Sequence, residues 1–381
     1  MNYTLIEGFE LSLSWLISEN MSTRRTFIKK SGLFMAAAAI PSYNFLLPNG
    51  NRKLGVALVG LGNYSRTQLA PALLKTKHCE LRGIVTGSPE KIPIWQKMYG
   101  IKDSNIYNYE NMDSIANNPE IDVIYIVVPT GLHAYYAIKA ANTGKHVWCE
   151  KPMARTSKEC RQIIQACEQN KVKLSIGYRM QHEDNTQTIM KWAKTKPFGN
   201  IKNLKAEAGY YGDPMNPWKL KKEMGGGAMY DMGVYPLNAA RYSTGLEPIA
   251  VSATHTTNRP ELFTEVDETT IFKLEFPEGI VANCKTSFGE NLNTLEINCR
   301  KGWYYLRPFQ SYSGVKGKAS DGTVLEPFGK NQQAVQMDDD ALAILNDTPV
   351  LVPGTDGLKD IAILEKIYES AAKGGKRISL I

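Results

Sequence analysis

The chain has 381 residues, 43% of them hydrophobic and 22% charged, a composition that excludes a disordered or low-complexity protein. Its length exceeds what one hydrophobic core usually serves, so two domains are expected. The formal charge of +7 comes without a block of like charge, an RNA-binding aromatic run or a zinc-finger spacing, which argues against nucleic acid as a partner. Cysteines 79, 149, 160, 167, 284 and 299 form no C-x-x-C pair, so they read as buried thiols rather than metal ligands or a disulfide scaffold.

In chain order, the first feature is "STRRTFIKKSGLFMAAAAIPSY", with Arg24, Arg25, Phe27 and Ile28 ahead of a short apolar run. The run is shorter than the roughly 20 residues a membrane span needs, and the pattern resembles a twin-arginine export signal. Residues 1–52 are therefore read as a removable signal and linker, and the expected product is periplasmic, with no membrane anchor.

Residues 53–177 alternate apolar strands with helical patterns, which predicts a Rossmann dinucleotide-binding domain with a parallel sheet. The strand "KLGVALVG" runs into "LGNYS", placing Gly60, Gly62, Asn63, Tyr64 and Ser65 in the turn that cradles a pyrophosphate at a helix N-terminus. The next strand, "CELRGIVTG", is followed by Thr86, Ser88 and Lys91 rather than by the Asp or Glu that binds the ribose hydroxyls of NAD. Serine and lysine suit a 2′-phosphate, so NADP is expected rather than NAD. Two later strand ends carry Pro129-Thr130 and Glu150-Lys151, and ligands of such sheets bind beyond the carboxyl ends of strands. Pro152 restricts Lys151 to extended backbone.

Residues 178–381 change to strands, "KNLKAEAGYYG", "IAVSATHTTN", "DETTIFKLEF", "IVANCKTSF", "TLEINC" and "GWYYLRPF". They predict an α+β domain with an open, mainly antiparallel sheet, serving substrate binding and oligomerisation. In it Phe272, Leu274 and Phe276 should share the buried face, and "GLKDIAILEKIYESAAKGGK" should close the chain as a helix. Between the first two strands stands "GGGAMYDMGVYPLN". Its glycines are expected to let a substrate approach the backbone, and Asp231 and Tyr235, four apart, to share a helix face. Pro236 cannot donate to the carbonyl of Met232, so a kink is expected near Gly233. An unassisted phenol ionises near pH 10, so Tyr235 needs a cation such as Lys151 beside it to act as a base.

The segments "GLGNYS", "VPTGLH", "GKHVWCEKPM", "GYR", "NPWKLKKEMGGG" and "DMGVYPLNAARY" together resemble the glucose-fructose oxidoreductase, inositol dehydrogenase and rhizopine-catabolism oxidoreductase family (Gfo/Idh/MocA). The likeness runs from Lys53 to the C-terminus and is greatest to the glucose-fructose oxidoreductase branch. It implies that Lys151 contacts both substrate hydroxyl and nicotinamide, that Asp231 is the site acid, and that Tyr235 is the acid/base. It also implies that Tyr109, Pro129, His133, Glu150, Arg179, Trp218 and Lys219 line the cofactor, with no metal. The linker before Lys53 is shorter than the proline-rich arm of that branch. The implied activity is NADP-dependent hydride transfer from C1 of an aldose to a tightly held nicotinamide and on to a second sugar carbonyl. An NAD-dependent redox glycosidase and a simple sugar or polyol dehydrogenase are the alternatives, and a non-catalytic sensor is disfavoured by the presence of both Lys151 and Tyr235. A homodimer or homotetramer is the implied assembly.

Overall fold

The computed structural model describes residues 52–212 and 216–380, and the twin-arginine segment lies outside them. Six strands, β1 (Leu54–Val59), β2 (Cys79–Val85), β3 (Ile106–Tyr107), β4 (Val123–Ile126), β5 (His146–Cys149) and β6 (Leu174–Ile176), form one sheet in the order β3-β2-β1-β4-β5-β6. Every pairing in it is parallel. Strand β1 is buried at all six positions, as a strand covered on both faces must be. The order reverses between β1 and β4, which opens the crevice where dinucleotides bind in this architecture.

The connecting helices are α1 (Ala70–Leu73), α2 (Ile92–Tyr99), α3 (His133–Asn142) and α4 (Ser157–Gln169). Helix α4 opens with a reciprocal cap, the Thr156 hydroxyl accepting from the Glu159 N–H and the Glu159 carboxylate accepting from the Thr156 N–H. Two main-chain donors that a helix start would otherwise leave orphaned are thereby satisfied.

After α5 (Asp184–Thr195) come β7 (Ile201–Tyr211), α6 (Val234–Thr244), β8 (Ala250–Thr256), β9 (Thr269–Glu275), β10 (Val281–Ser287), β11 (Gly289–Cys299), β12 (Trp303–Leu306), β13 (Gly317–Ala319) and β14 (Val324–Leu325). With β15 (Ile378–Ser379), they make a second sheet in the order β14-β13-β12-β11-β7-β10-β9-β8-β15. The central pair β7 and β10 is parallel, and the other pairs are antiparallel. Phe272, Leu274 and Phe276 are buried while Ile271, just before them, is 48% exposed, the alternation expected of a half-covered sheet. The short strands β13, β14 and β15 were not anticipated, since two or three residues carry no periodicity.

Two helices close the chain. Helix α8 (Gly354–Ala372) is held to α6 by a buried guanidinium, Arg241, which reaches Asp360 at 2.6 Å and Asp356 at 2.8 Å. Helix α7 (Gln332–Leu345) lies in the stretch assigned from sequence to the second domain, yet its Ala334, Met337 and Ala341 pack with Val56, Leu58, Tyr125 and Trp148 of the first sheet. All six cysteines are free and buried. Burial pushes the thiols of Cys79, Cys160 and Cys167 up to about 12 and raises those of Cys149, Cys284 and Cys299 as well, so none is a nucleophile at neutral pH.

Candidate active site

The glycine turn after β1 has the shape the sequence implied. Gly60 sits at φ +96° with Val127 O where a Cβ would go, and a side chain there would meet it at 2.8 Å. Gly62 has nothing within 4 Å of that position, so its backbone is open to a ligand. Ser65 is buried and donates to Gly60 O at 2.6 Å, tying the turn to the helix start. That start is wound as a π-helical turn, Ser65–Leu69, before α1. Asn63 is exposed, whereas Tyr64 turns inward to put its ring 6.0 Å from that of Tyr312.

Beyond β2, the Thr86 hydroxyl accepts from the Ser88 N–H at 3.1 Å, and Lys91 reaches back so that Nζ donates to Leu61 O at 3.2 Å. An ammonium therefore lies over the glycine turn, and Thr86, Gly87 and Ser88 bring no carboxylate beside it. The ring of Tyr109 rests on Gly87, where a Cβ would approach it to 3.1 Å. An open cradle at a helix start fits the pyrophosphate of a dinucleotide.

The chemistry gathers where β5 meets the helix that follows the glycine run. Lys151 Nζ donates to Asp231 O at 2.8 Å and lies 4.5 Å from the ring centre of Tyr235. Lys219 Nζ pairs with Asp231 Oδ2 at 2.6 Å. Burial works against the Asp231 carboxylate, but the ammonium groups of Lys219 and Lys151 outweigh it and hold the carboxyl below its usual range. Burial likewise disfavours the Lys151 ammonium, and Tyr235, Asp231 and Glu150 outweigh that, raising it above the ordinary lysine value. The lysine thus stays a cation at working pH. Tyr235 is 8% exposed and has the Arg179 guanidinium 5.6 Å from its ring centre as a second cationic neighbour. The anticipated irregularity is present as a π-helical turn, Met229–Gly233, running into α6. Such turns insert one extra residue per turn and recur at functional sites.

The glycine run itself plays another role than the expected one. All three glycines are buried, and protein presses on them: Thr130 Cγ2 would lie 2.9 Å from a Cβ at Gly225, Lys219 O would overlap one at Gly226, and Asp267 Oδ1 would overlap one at Gly227. They admit neighbouring protein rather than substrate. Asp267 caps the helix start, its Oδ2 accepting from the Met229 N–H at 2.9 Å. Gly227→Ala, at φ +103°, should therefore cost about 3 kcal/mol of stability, measured by denaturant unfolding. A loss under about 1 kcal/mol would show that the run tolerates a side chain.

Several residues expected to line the cofactor prove to hold the site together. Thr130 packs on Gly225, and Gly131 beside it lies close to residues 223–224, so the turn after Pro129 docks onto the loop leading to Asp231. His133 is buried with Nδ1 2.8 Å from Pro152 O and Nε2 2.8 Å from Val128 O, which leaves no ring nitrogen for a ligand. Arg179 is buried, bonded to Gln332 Oε1, to Gln310 O and at 3.1 Å to Ser311 O, and stacked 4.6 Å from the Tyr312 ring centre. Trp218 and Tyr210 flank Lys219 at 6.0 and 5.9 Å. Glu150 bonds to Tyr125 OH at 2.6 Å and faces the interior. Tyr312, Tyr210, Tyr125, Gln332 and Gln336 carried no sequence signal. Among the described residues there is no cluster able to hold a metal ion, and no helix long and apolar enough to cross a membrane.

A dinucleotide cradle joined to a Lys-Asp-Tyr cluster by a mostly antiparallel sheet defines a class, and the comparisons agree with it. Residues 54–178 match the NAD-binding Rossmann domain of the Gfo/Idh/MocA oxidoreductases and residues 186–305 match their C-terminal domain, so the chain belongs to that family. It is similar to the solved aldose-aldose oxidoreductase of Caulobacter crescentus complexed with glycerol, at 37% identity and TM-score 0.83, over 86% of this chain and 100% of that one. It is also similar to the D-xylose 1-dehydrogenase [NADP(+)] of Haloarcula marismortui, 28% identical over 341 residues, covering 83% of this chain and 90% of the relative. Levoglucosan dehydrogenase in complex with NADH and levoglucosan shares the fold, with TM-score 0.76 at 22% identity over 86% of this chain and 100% of that one.

Proposed function

We propose that the chain is an NADP-dependent sugar oxidoreductase that oxidises an aldose at C1 and passes the hydride to a second sugar carbonyl while keeping its nucleotide. The carrying observation is Lys151, an ammonium held between Asp231 O and the Tyr235 ring at 2.8 and 4.5 Å. Similarity to an aldose-aldose oxidoreductase supports the two-sugar cycle. When bound, the dinucleotide supplies the hydride acceptor. Tyr235 takes the proton of the C1 hydroxyl as general base, and Lys151 donates a hydrogen bond to the same oxygen, favouring its ionised form. Asp231, fixed by Lys219, anchors a neighbouring sugar hydroxyl. In the return half-reaction Tyr235 gives the proton to the second sugar's carbonyl oxygen.

The test uses the purified protein without added nucleotide. A panel of aldoses should yield lactone and reduced sugar in large excess over enzyme, with the reduced-nicotinamide band rising on the first sugar and bleaching on the second. If each lactone demands one fresh NADP, the activity is that of an ordinary dehydrogenase, a reading that similarity to the xylose dehydrogenase supports. NADP over NAD rests on Lys91 above the glycine turn. Lys91→Glu should weaken NADP at least about tenfold, ~1.4 kcal/mol, in a fluorescence titration, with NAD affinity held; equal losses for both would remove the lysine from phosphate recognition.

Export follows from Arg24-Arg25 and the apolar run after them, and carriage in the folded state lets the enzyme leave with its cofactor. Cell fractionation should find the mature chain in the periplasm. Pairing through the second sheet into a homodimer or homotetramer completes the reading, tested by light scattering.

A further inference from the structure

Helix α7 turns one polar stripe toward the floor of the site, at residues spaced four, three and one apart, as one helix face requires. Gln332 meets Arg179, Gln336 Nε2 donates to Tyr125 OH at 3.1 Å, Asp339 Oδ2 lies 2.8 Å from His182 Nδ1, and Asp340 Oδ1 accepts from Ser175 Oγ at 2.7 Å. The Gln336 contact continues inward. Tyr125 OH donates to Glu150 Oε1 at 2.6 Å, and Glu150 Oε2 accepts from the Lys151 N–H at 3.2 Å. Tyr125 and Gln336 are buried and Glu150 is 6% exposed. The packing is close, since a Cβ at Gly177 would stand 2.7 Å from Glu150 Oε1 and 3.1 Å from Tyr125 OH.

Two donors thus converge on the two oxygens of one buried carboxyl, an arrangement that suits the carboxylate. A proton added there removes the charge that both donors face, and the bond to the Lys151 main chain, at 3.2 Å, is the longer and weaker of the two. Resting on the function proposed above, we propose that Glu150 is a positioning residue for Lys151, that its protonation slackens the lysine and slows turnover, and that α7 governs it through Gln336 and Tyr125.

The surrounding charges place this event in an accessible range. Burial pushes the Glu150 carboxyl up to about 6, opposed by the Tyr125 hydrogen bond, the Lys151 cation and N–H, and Arg179. The other titratable groups facing it are Tyr64, Tyr312 and Cys149, and these are neutral at that pH. Glu150 is consequently ionised above about pH 6 and protonated below it, so kcat should fall as pH drops through that value.

The experiment is an infrared pH titration of the protonated-carboxyl band on the full-length protein, its E150Q, Y125F and Q336M variants, and the acid limb of kcat for each. Asp340 and Asp360, also pushed up by burial to about 6, keep their own partners in E150Q and Y125F and cancel in those differences, whereas Gln336 also bonds to Asp340, so the Q336M spectrum is read against a Q336M/E150Q double variant. Wild type minus E150Q should reveal one titrating carboxyl with a midpoint near 6. Y125F should move that midpoint up by about one pH unit and Q336M by less, with the acid limb of kcat moving in the same order and KM holding. A helix that only braced the fold would lower the melting temperature and leave the midpoint in place. Identical spectra for wild type and E150Q, an unmoved midpoint in Y125F, or an acid limb that persists in E150Q would each overturn the proposal. Should E150Q not fold, Y125F decides alone, since it leaves the partners of Asp340 and Asp360 in place. The infrared readout needs no sugar, so failure of every aldose to react would count against the substrate reading and not against this coupling.

Discussion

Tyr235→Phe is expected to lower kcat about a thousandfold with KM within a few fold and an unchanged melting temperature. Lys151 Nζ stands 4.5 Å and the Arg179 guanidinium 5.6 Å from the centre of the Tyr235 ring, and Arg179 also bonds to its hydroxyl. Phenylalanine preserves that packing and removes only the oxygen that exchanges the proton. Water entering the site is a poor substitute, since it lacks the fixed orientation that makes general-base catalysis effective. Steady-state kinetics on an aldose, paired with thermal unfolding, checks this. A variant retaining more than about a tenth of wild-type kcat would assign the proton to another group.

Lys151→Met is expected to cost at least as much, about 10³-fold to 10⁴-fold in kcat/KM, for a different reason. Methionine keeps the length of the stem but loses the cation that bonds to Asp231 O and faces the phenol. It also removes one of the two ammonium groups that hold the Asp231 carboxyl low, leaving Lys219, so the Asp231 titration should move upward toward the ordinary range. The sign for stability follows. A carboxyl lowered in the folded state adds stability above its unfolded value, lost as pH falls through the folded one, and the variant should show less of that acid-side loss. Lys151→Arg should not rescue, because the longer, planar guanidinium cannot place a single compact donor at Asp231 O and at the substrate oxygen in the same position. Nucleotide affinity within about threefold of wild type, by fluorescence titration, separates lost chemistry from lost binding.

The parts of the molecule legible in its sequence were those with a local signature. Gly60, Gly62 and Ser65 announce their turn because the backbone conformation, the open approach and the helix packing each demand a small residue at one position. The alternation around Phe272 announces a half-covered strand for the same kind of reason. The glycine run at 225–227 shows where such reading stops. A missing Cβ leaves room, and nothing in the chain says whether ligand or protein fills it; here Thr130, Lys219 O and Asp267 do. His133 is implied by the resemblance to line the cofactor, but two carbonyl oxygens on its ring nitrogens make it a strut. Helix α7 escaped notice because Gln332, Gln333, Gln336 and Asp340 are buried, so its inward face does not read as apolar. Tyr312 reaches the site from a loop between two short strands, by a path no spacing encodes.

That same helix bears on how the molecule can be taken apart. Residues 54–178 correspond to a recognised family module, yet the sheet they form is sealed on one side by Ala334, Met337 and Ala341, which arrive from the far end of the chain. A fragment cut after residue 178 would lay Tyr125 and Trp148 bare to water. Chimeras that swap nucleotide specificity between relatives must carry residues 332–345 with the transplanted half, because the chain is woven through both halves and has no clean seam.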